Sequence, residues 1–216
     1  MIAFSDFHGS DAAFSKAIDT ILKNKPEFLM IAGDIADNSF EKARDFLSNL
    51  NRLGIKVFYV PGNMDSIRLM NEDLRLEYVK NVHKRIVDYE GFKIVGFGGS
   101  SKTPFNTPIE FIEAEIEDFL SNLSFSEGDK VIFLTHSPPK NTKVDETFMK
   151  IHAGSIAIRR FIEEAKPLLT VCGHIHEAYG VDRLGDSPVV NVGSARKGRY
   201  GFIDMKDGFS VKLLEF

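Results

Sequence analysis

Leu168-Leu169-Thr170-Val171-Cys172-Gly173-His174-Ile175-His176 is an apolar run that stops at a glycine and two histidines. The run reads as a buried strand. Where a chain stays extended, residues two apart face the same side, so His174 and His176 would present both imidazoles to one place. Gly173 removes a side chain where the backbone must pass close to something. One His-x-His pair is weak evidence, since paired histidines are common in cores and on surfaces. Its weight comes from four other apolar runs in this chain that end the same way.

Residues 1–5 form a short strand that stops at Asp6-Phe7-His8-Gly9. Ser10 or Asp11 caps a helix to about Asn24, with Ala13, Ala17, Ile18, Ile21 and Leu22 at helical spacing. The second strand, 28–32, ends in Gly33-Asp34. Ser39 caps a second helix that Gly54 closes, and the third strand, 55–60, ends in Pro61-Gly62-Asn63-Met64-Asp65. This β-α-β-α-β order implies right-handed crossovers and parallel pairing. Residues 65–80 read as helical or irregular, and 82–89 with 92–97 as a hairpin turning at Glu90-Gly91. After a loop at 98–107, Pro108 starts a helix through Leu123, with Ile109, Ile112, Ile116, Phe119 and Leu120 as its stripe. A strand at 131–135 ends in His136-Ser137-Pro138-Pro139, a polar loop runs to about His152, and a helix spans Ser155 to about Lys166. Beyond His176 come strands at about 178–182, 189–192 and 200–205, then a turn at Asp207-Gly208 and a last strand, 209–214.

The chain has 216 residues, 43% hydrophobic and 27% charged, with no linker, repeat or low-complexity tract, and reads as one domain over 1–216. Most of its 19 phenylalanines fall on strand or helix-stripe positions and read as core. The net charge of −4 and the lack of a basic cluster argue against a nucleic-acid partner. An anionic substrate would therefore need local positive charge from another source. Cys172 is the single cysteine, so no intramolecular disulfide forms and a reducing compartment fits. A strand starting at residue 1 or 2 leaves no room for a signal peptide, and no apolar run reaches transmembrane length. The expectation is a cytoplasmic protein.

Five apolar strands thus end in metal-competent residues: Asp6 and His8, Asp34, Asn63, His136, His174 and His176. Any one block reads as a turn or a cap. In open α/β sheets, however, sites form outside the carboxyl ends of the strands, so sequence order alone gathers these side chains on one rim. Their mixture of oxygen and imidazole suits divalent Mn, Fe, Zn, Co or Ni better than Ca or Mg. Seven ligands are too many for one ion and fit two ions that share a carboxylate.

Asp6-x-His8, Gly33-Asp34, Gly62-Asn63-x-Asp65, His136 and Gly173-His174-x-His176, in this order, resemble the calcineurin-like metallophosphoesterases. The match spans nearly the whole chain. It implies an α/β fold, a β-sandwich of mixed sheets flanked by helices in α-β-β-α layers, with a two-metal site on its rim. By that pattern Asp6, His8, Asp34 and His176 hold one metal, Asp34, Asn63, His136 and His174 hold the other, and Asp34 bridges. Two divalent ions against the Asp6 and Asp34 carboxylates leave a cationic pocket in an acidic protein. Such a pair lowers the pKa of a bridging water and clamps a phosphoryl group for in-line attack.

The resemblance departs at one place. Most of the family reads Gly-Asn-His-Asp/Glu, with that His protonating the leaving oxygen, and this chain has Met64 there. His152, beside Gly154-Ser155, is the candidate substitute acid, and His83 reads as structural. Asp65, Asp37 and Asn38 are candidates for ordering a ligand or water, and Arg196 and Arg199 for reaching phosphate. The expected activity is metal-dependent hydrolysis of a small phosphoester, a phosphodiester or an activated monoester. A nuclease fits the acidic charge poorly, and a non-catalytic scaffold of the same fold would not require all seven ligands.

Overall fold

The computed structural model describes residues 1–205 and 209–216. Two six-stranded mixed sheets lie face to face, with helices on both outer surfaces. The first half builds β1 (Ile2–Phe4), α1 (Asp11–Asn24), β2 (Phe28–Ala32), α2 (Phe40–Asn51), β3 (Lys56–Val60), α3 (Ile67–Asn71) and β4 (Val79–Asn81). β5 (Arg85–Tyr89), β6 (Phe92–Phe97), β7 (Ser100–Ser101), β8 (Glu110–Phe111), α4 (Glu113–Ser121) and β9 (Lys130–Thr135) follow. The chain then forms α5 (Ile156–Ala165), β10 (Leu169–Cys172), β11 (Gly180–Leu184), β12 (Ser187–Asn191), β13 (Arg199–Asp204) and β14 (Ser210–Glu215). The turn expected at Asp207-Gly208 lies outside the described residues.

The first sheet has the order β14-β13-β1-β2-β3-β4, and its β1, β2, β3 and β4 pair in parallel. The second has the order β11-β12-β10-β9-β6-β5, parallel from β12 through β6. Both faces of these strands are covered, which is why they read as continuous apolar runs. In β2, Leu29 and Ile31 pack outward with α1 and α2, while Phe28, Met30 and Ala32 pack inward between the sheets. In β9, Val131 and Phe133 face α4 and α5, and Ile132 and Leu134 face the first sheet. The period of two in each strand therefore divides one chain into three apolar layers.

Local signals set most boundaries. The Ser10, Ser39 and Ser155 side chains accept from Ala13, Lys42 and Ile158 backbone N–H groups, starting α1, α2 and α5. Glu90 and Gly91 both take positive φ, 50° and 79°, so the β5–β6 hairpin closes on a turn whose twist matches its strands. On α1 the buried face includes Phe14, and Leu22 is exposed. Two phenylalanines, Phe105 and Phe148, stand outside the core on exposed loops.

The helix expected over 108–123 is shorter than its periodicity implies. Only Glu113–Ser121 is helical, Ile112 is its exposed N-cap, and Glu110–Phe111 form a strand with Ser100–Ser101. Tertiary bonds hold the missing turn extended. Ile109 N–H donates to the Asn63 carbonyl at 3.0 Å, and the Ile109 carbonyl accepts from Ser100 N–H at 3.2 Å. The Glu110 carboxylate accepts from Thr103 Oγ1, Thr107 N–H and Thr107 Oγ1 at 2.5, 2.8 and 2.7 Å. The Ile112 N–H then donates to Glu115 Oε2, so the helix begins one turn later. β4, within the stretch read as helical or irregular, extends the parallel run beside β3.

Candidate metal centre

The carboxyl ends of β1, β2 and β3 lie on one edge, and the exits of β9 and β10 meet them from the second sheet. Backbone bonds stitch these exits together. Asp6 N–H donates to the Gly33 carbonyl, His8 N–H to the Asp34 carbonyl, and Gly173 N–H to the His136 carbonyl, at 2.9, 2.9 and 3.1 Å. The glycines ahead of the polar residues permit this approach. A Cβ on Gly62 would overlap Asp34, and one on Gly173 would overlap Ser5 Oγ and Asp6 Oδ2.

The seven candidate residues come together in two halves. In one, His176 Nε2 lies 3.1 Å from Asp6 Oδ1 and 3.1 Å from His8 Nε2. His8 Nε2 is 3.8 Å from both Asp6 Oδ1 and Asp34 Oδ2. In the other half, His136 Nε2 lies 2.8 Å from Asn63 Oδ1 and 3.4 Å from Asp34 Oδ2, and the His174 ring packs edge-on against His136 at 4.9 Å. Asp34 reaches both. Asp6, Asp34, Asn63 and His136 are buried, while His8, His174 and His176 are part-exposed.

His174 and His176 do not sit on an extended segment, contrary to the strand reading. β10 stops at Cys172, His174 has φ 68°, and His176 opens a single 3-10 turn over His176–Ala178. The twist sends the two imidazoles to different halves of the site rather than to one point. Asp6, His8 and Asp34 also occupy the left-handed region, at φ 56°, 49° and 51°. Such conformations cost on the order of 1–3 kcal/mol each and persist where the surroundings over-determine them.

The orientation of two imidazoles is set by groups that only accept. His8 Nδ1 donates to Asp37 Oδ1 and His136 Nδ1 donates to the Ala32 carbonyl, both at 2.6 Å. In the neutral rings each Nε2 is then a lone pair turned inward. Asn63 Nδ2 donates to Thr107 Oγ1 at 2.9 Å, which turns Asn63 Oδ1 inward as well. Asp6 Oδ1 is buried with no hydrogen-bond donor.

The electrostatics follow. Burial opposes ionisation of Asp6 and Asp34, but the nearby histidines, His176 and His136 for Asp6 and chiefly His136 for Asp34, hold both carboxyls below the ordinary range. Burial disfavours charge on His136 too, yet Asp34 with Asp6 and the Ala32 carbonyl lifts it to about 9. Burial and the neighbouring His136 push His174 down to about 4.

Asp65 touches neither half. It braces the loops: Oδ2 accepts from Ile35 and Gly62 N–H groups and Oδ1 from Ala36 N–H, at 3.1, 2.8 and 2.9 Å. Burial and the Asp34 charge raise it to about 6 against those donors. His152 Nδ1 sits 2.7 Å from the buried Asp145 Oδ1 and does not line the cleft beside the site, although Ile151 and Ala153 do. Asn38 contributes a backbone bond, its N–H to the Met64 carbonyl. Arg199 is tied to the His176 carbonyl and stacked on Tyr179, away from the cleft, and Arg196 is exposed. His83 accepts from Gly98 N–H and stacks near Phe97 and Phe111. Thr107 is the site residue the sequence reading overlooked. Its Thr107-x-x-Glu110 spacing resembles a helix start, and the same two side chains are used instead to clamp a loop and aim Asn63.

Met64 borders the site, its N–H donating to Asp34 Oδ1 at 2.8 Å and its side chain lining a cleft of about 1190 Å³ with Asn63 and His174. Among the described residues no helix is long and apolar enough to cross a membrane.

The chain is 35% identical over 198 residues to an uncharacterized protein of Methanocaldococcus jannaschii, covering 88% of this chain and 86% of that one. It is 25% identical over 179 residues to a probable cyclic nucleotide phosphodiesterase of Coxiella burnetii, covering 74% of this chain and 64% of the relative, so it spans somewhat less than that protein's full length. Among solved structures, TT1561 of Thermus thermophilus superposes with a TM-score of 0.77 at 20% identity over 99% of this chain and 97% of that one, a likeness of fold. The sequence model described as metallophosphoesterase, calcineurin superfamily, matches residues 37–213. The α-β-β-α sandwich and the match over most of its length place this chain in the calcineurin-like metallophosphoesterase superfamily.

Proposed function

We propose that the protein is a hydrolase of phosphodiesters or activated phosphomonoesters that works with two divalent transition-metal ions. The observation that carries this reading is the convergence of oxygen and imidazole side chains at the strand ends: Asp6 Oδ1, buried without a hydrogen-bond partner, lies 3.1 Å from His176 Nε2, and Asp34 Oδ2 lies 3.8 Å from His8 Nε2 and 3.4 Å from His136 Nε2. Donors about 2.1 Å from a common ion lie roughly 3.0–3.5 Å apart. The separations of 2.8–3.8 Å at this site suit that spacing. Asp6, His8, Asp34 and His176 would hold one ion, and Asp34, Asn63, His136 and His174 the other. Mixed oxygen and imidazole donors suit Mn, Fe, Zn, Co or Ni.

A divalent pair, when bound, supplies Lewis acidity and a water acidic enough to attack near neutral pH. The chain's own part is positioning. Asp37 and the Ala32 carbonyl keep the Nδ1 protons of His8 and His136, which leaves both Nε2 atoms free to coordinate. Thr107 keeps the Asn63 oxygen turned the same way, and Asp65 locks the loops that carry Asp34 and Asn63. Met64 has no proton to give a departing oxygen. Esters whose alcohols are already acidic are therefore the favoured substrates, since general acid catalysis is worth roughly 10²–10⁴ in rate. Two relatives named as probable cyclic nucleotide phosphodiesterases point to the same bond type.

The test is metal analysis of reconstituted protein combined with hydrolysis of bis(p-nitrophenyl) phosphate. We expect two ions per chain, with activity lost on chelation and restored by manganese. Zero stoichiometry, or hydrolysis indifferent to chelator, overturns the proposal.

A further inference from the structure

The cleft next to the metal centre has walls that a small phosphoester would not use. Phe105 is 80% exposed, Phe148 88% and Met149 79%, and Ile112, Ile151 and Ile156 are also exposed. All six line the one cleft that Asn63, Met64 and His174 border. They come from four places in the chain: the β7–β8 loop, the N-cap of α4, the segment between β9 and α5, and the first residue of α5. Chains rarely expose apolar side chains in such a group without a use for them.

Several polar groups of the cleft are committed to one another, and its two lysines, Lys102 and Lys140, leave the apolar side chains as the larger part of its wall. Glu113 Oε2 accepts from Ser155 Oγ and Ala157 N–H, and Glu177 Oε1 accepts from Phe148 N–H. Thr103 and Thr107 donate to Glu110, and Lys102 lies 3.9 Å from Glu110 Oε2. Among the described residues no arginine lines the cleft. The volume, about 1190 Å³, exceeds the usual several hundred Å³ of a site for a compact ligand.

We infer that this cleft is a subsite for a bulky apolar group, a long alkyl or an extended aryl chain, carried by the phosphoester, with Phe105 and Phe148 as specificity-determining residues. The inference rests on the phosphoesterase reading for its placement of the phosphate at the metal centre. The apolar chain would leave water along the Phe105, Phe148 and Met149 surface while the phosphoryl group lies by Asn63 and His174. Burying half of each methylene strengthens binding about twofold per carbon.

Two measurements test it together. The first is kcat/KM of the manganese-loaded protein on p-nitrophenyl alkyl phosphates with methyl, butyl and octyl groups, below micelle concentration. The second is calorimetric titration of the same protein with methylphosphonate and octylphosphonate. We expect octyl to exceed methyl by 10- to 100-fold in both, and Phe105→Ser with Phe148→Ser to lower the octyl-to-methyl ratio toward one. Hydrolysis and binding that ignore chain length overturn the inference and leave the hydrolase reading intact. Chain-length-dependent binding without hydrolysis of any diester or of p-nitrophenyl phosphate sustains the subsite and sinks the hydrolase reading. A dimer in sedimentation that Phe148→Ser dissociates, with no chain-length dependence, would assign the patch to a second copy and overturn the inference.

Discussion

His8 Nδ1 lies 2.6 Å from Asp37 Oδ1, so the one proton of a neutral ring is taken by a carboxylate and Nε2 points at Asp6 and Asp34. Asp37 itself does not reach the centre of the site. Removing a carboxylate that orients a coordinating histidine typically costs 10- to 100-fold in metal affinity. Asp37→Ala is expected to weaken metal binding by that factor in chelator competition, and Asp37→Asn to recover part of it. Unchanged affinity in Asp37→Ala would show that packing alone orients His8.

Asp34 Oδ2 stands within 3.8 Å of His8 Nε2 and 3.4 Å of His136 Nε2, where the proposed pair of ions would share a ligand. Ligand at 100 times its Kd stabilises a fold by about 2.7 kcal/mol. For a chain of this length, that raises Tm by roughly 5–10 °C. Manganese should therefore raise the wild-type Tm by this amount, and Asp34→Asn should abolish most of the shift together with occupancy at both sites. A variant that keeps the full shift would remove Asp34 from the bridging role.

Met64 borders the cleft where the family resemblance places an acid, and His152 is engaged with Asp145 instead. Met64→His is expected to accelerate alkyl phosphoesters more than nitrophenyl esters, by up to roughly 10²-fold. His152→Ala should cost about 1 kcal/mol of stability, the worth of one hydrogen bond, and leave the dependence of rate on leaving-group pKa unchanged. Selective loss of poor leaving groups in His152→Ala, with metal content intact, would restore His152 as the acid.

His83 is held neutral. Burial, with Lys84 and Arg85 nearby, depresses its pKa from 6.5 to about 3, and its Nδ1 accepts from Gly98 N–H at 2.8 Å. The unfolded chain therefore binds this proton first, so the contribution is complete above pH 6.5 and is lost as pH falls toward 3. Denaturant midpoints measured across that window should fall with acid in the wild type. In His83→Gln the slope should be shallower, and an equal slope would assign the acid sensitivity elsewhere.

Much of this architecture was legible in the linear chain. Serines 10, 39 and 155 announce helix starts, and the apolar runs at 28–32 and 131–135 announce strands buried on both faces. The residues of the centre were legible for a related reason. Parallel strands all deliver their carboxyl ends to one edge, so Asp6, Asp34 and Asn63 converge once β1, β2 and β3 are placed side by side.

Other features depend on contacts distant in sequence. Periodicity at 108–112 favours a helix by itself, but bonds from Asn63 and Ser100 hold Ile109 extended. Phe105 and Phe148 fall in stretches that the sequence already reads as loops, but nothing local says that the two loops meet at one cleft. Their exposure arises because both sit on loops that border the cleft after all three apolar layers are filled.

The sequence by itself determined the sheet-forming runs, the helix starts and the identity of the polar residues at the strand ends, because burial periodicity and capping act over a few neighbouring residues, while the layer order was what the family resemblance implied. Only the tertiary structure decided how those residues face one another. The left-handed turns at Asp6, His8, Asp34 and His174 send neighbouring side chains in different directions, and the tautomers of His8 and His136 are chosen by Asp37 and the Ala32 carbonyl, 29 and 104 residues away. Strain and hydrogen-bond direction at a site are properties of packed elements, stable only when both sheets are in place.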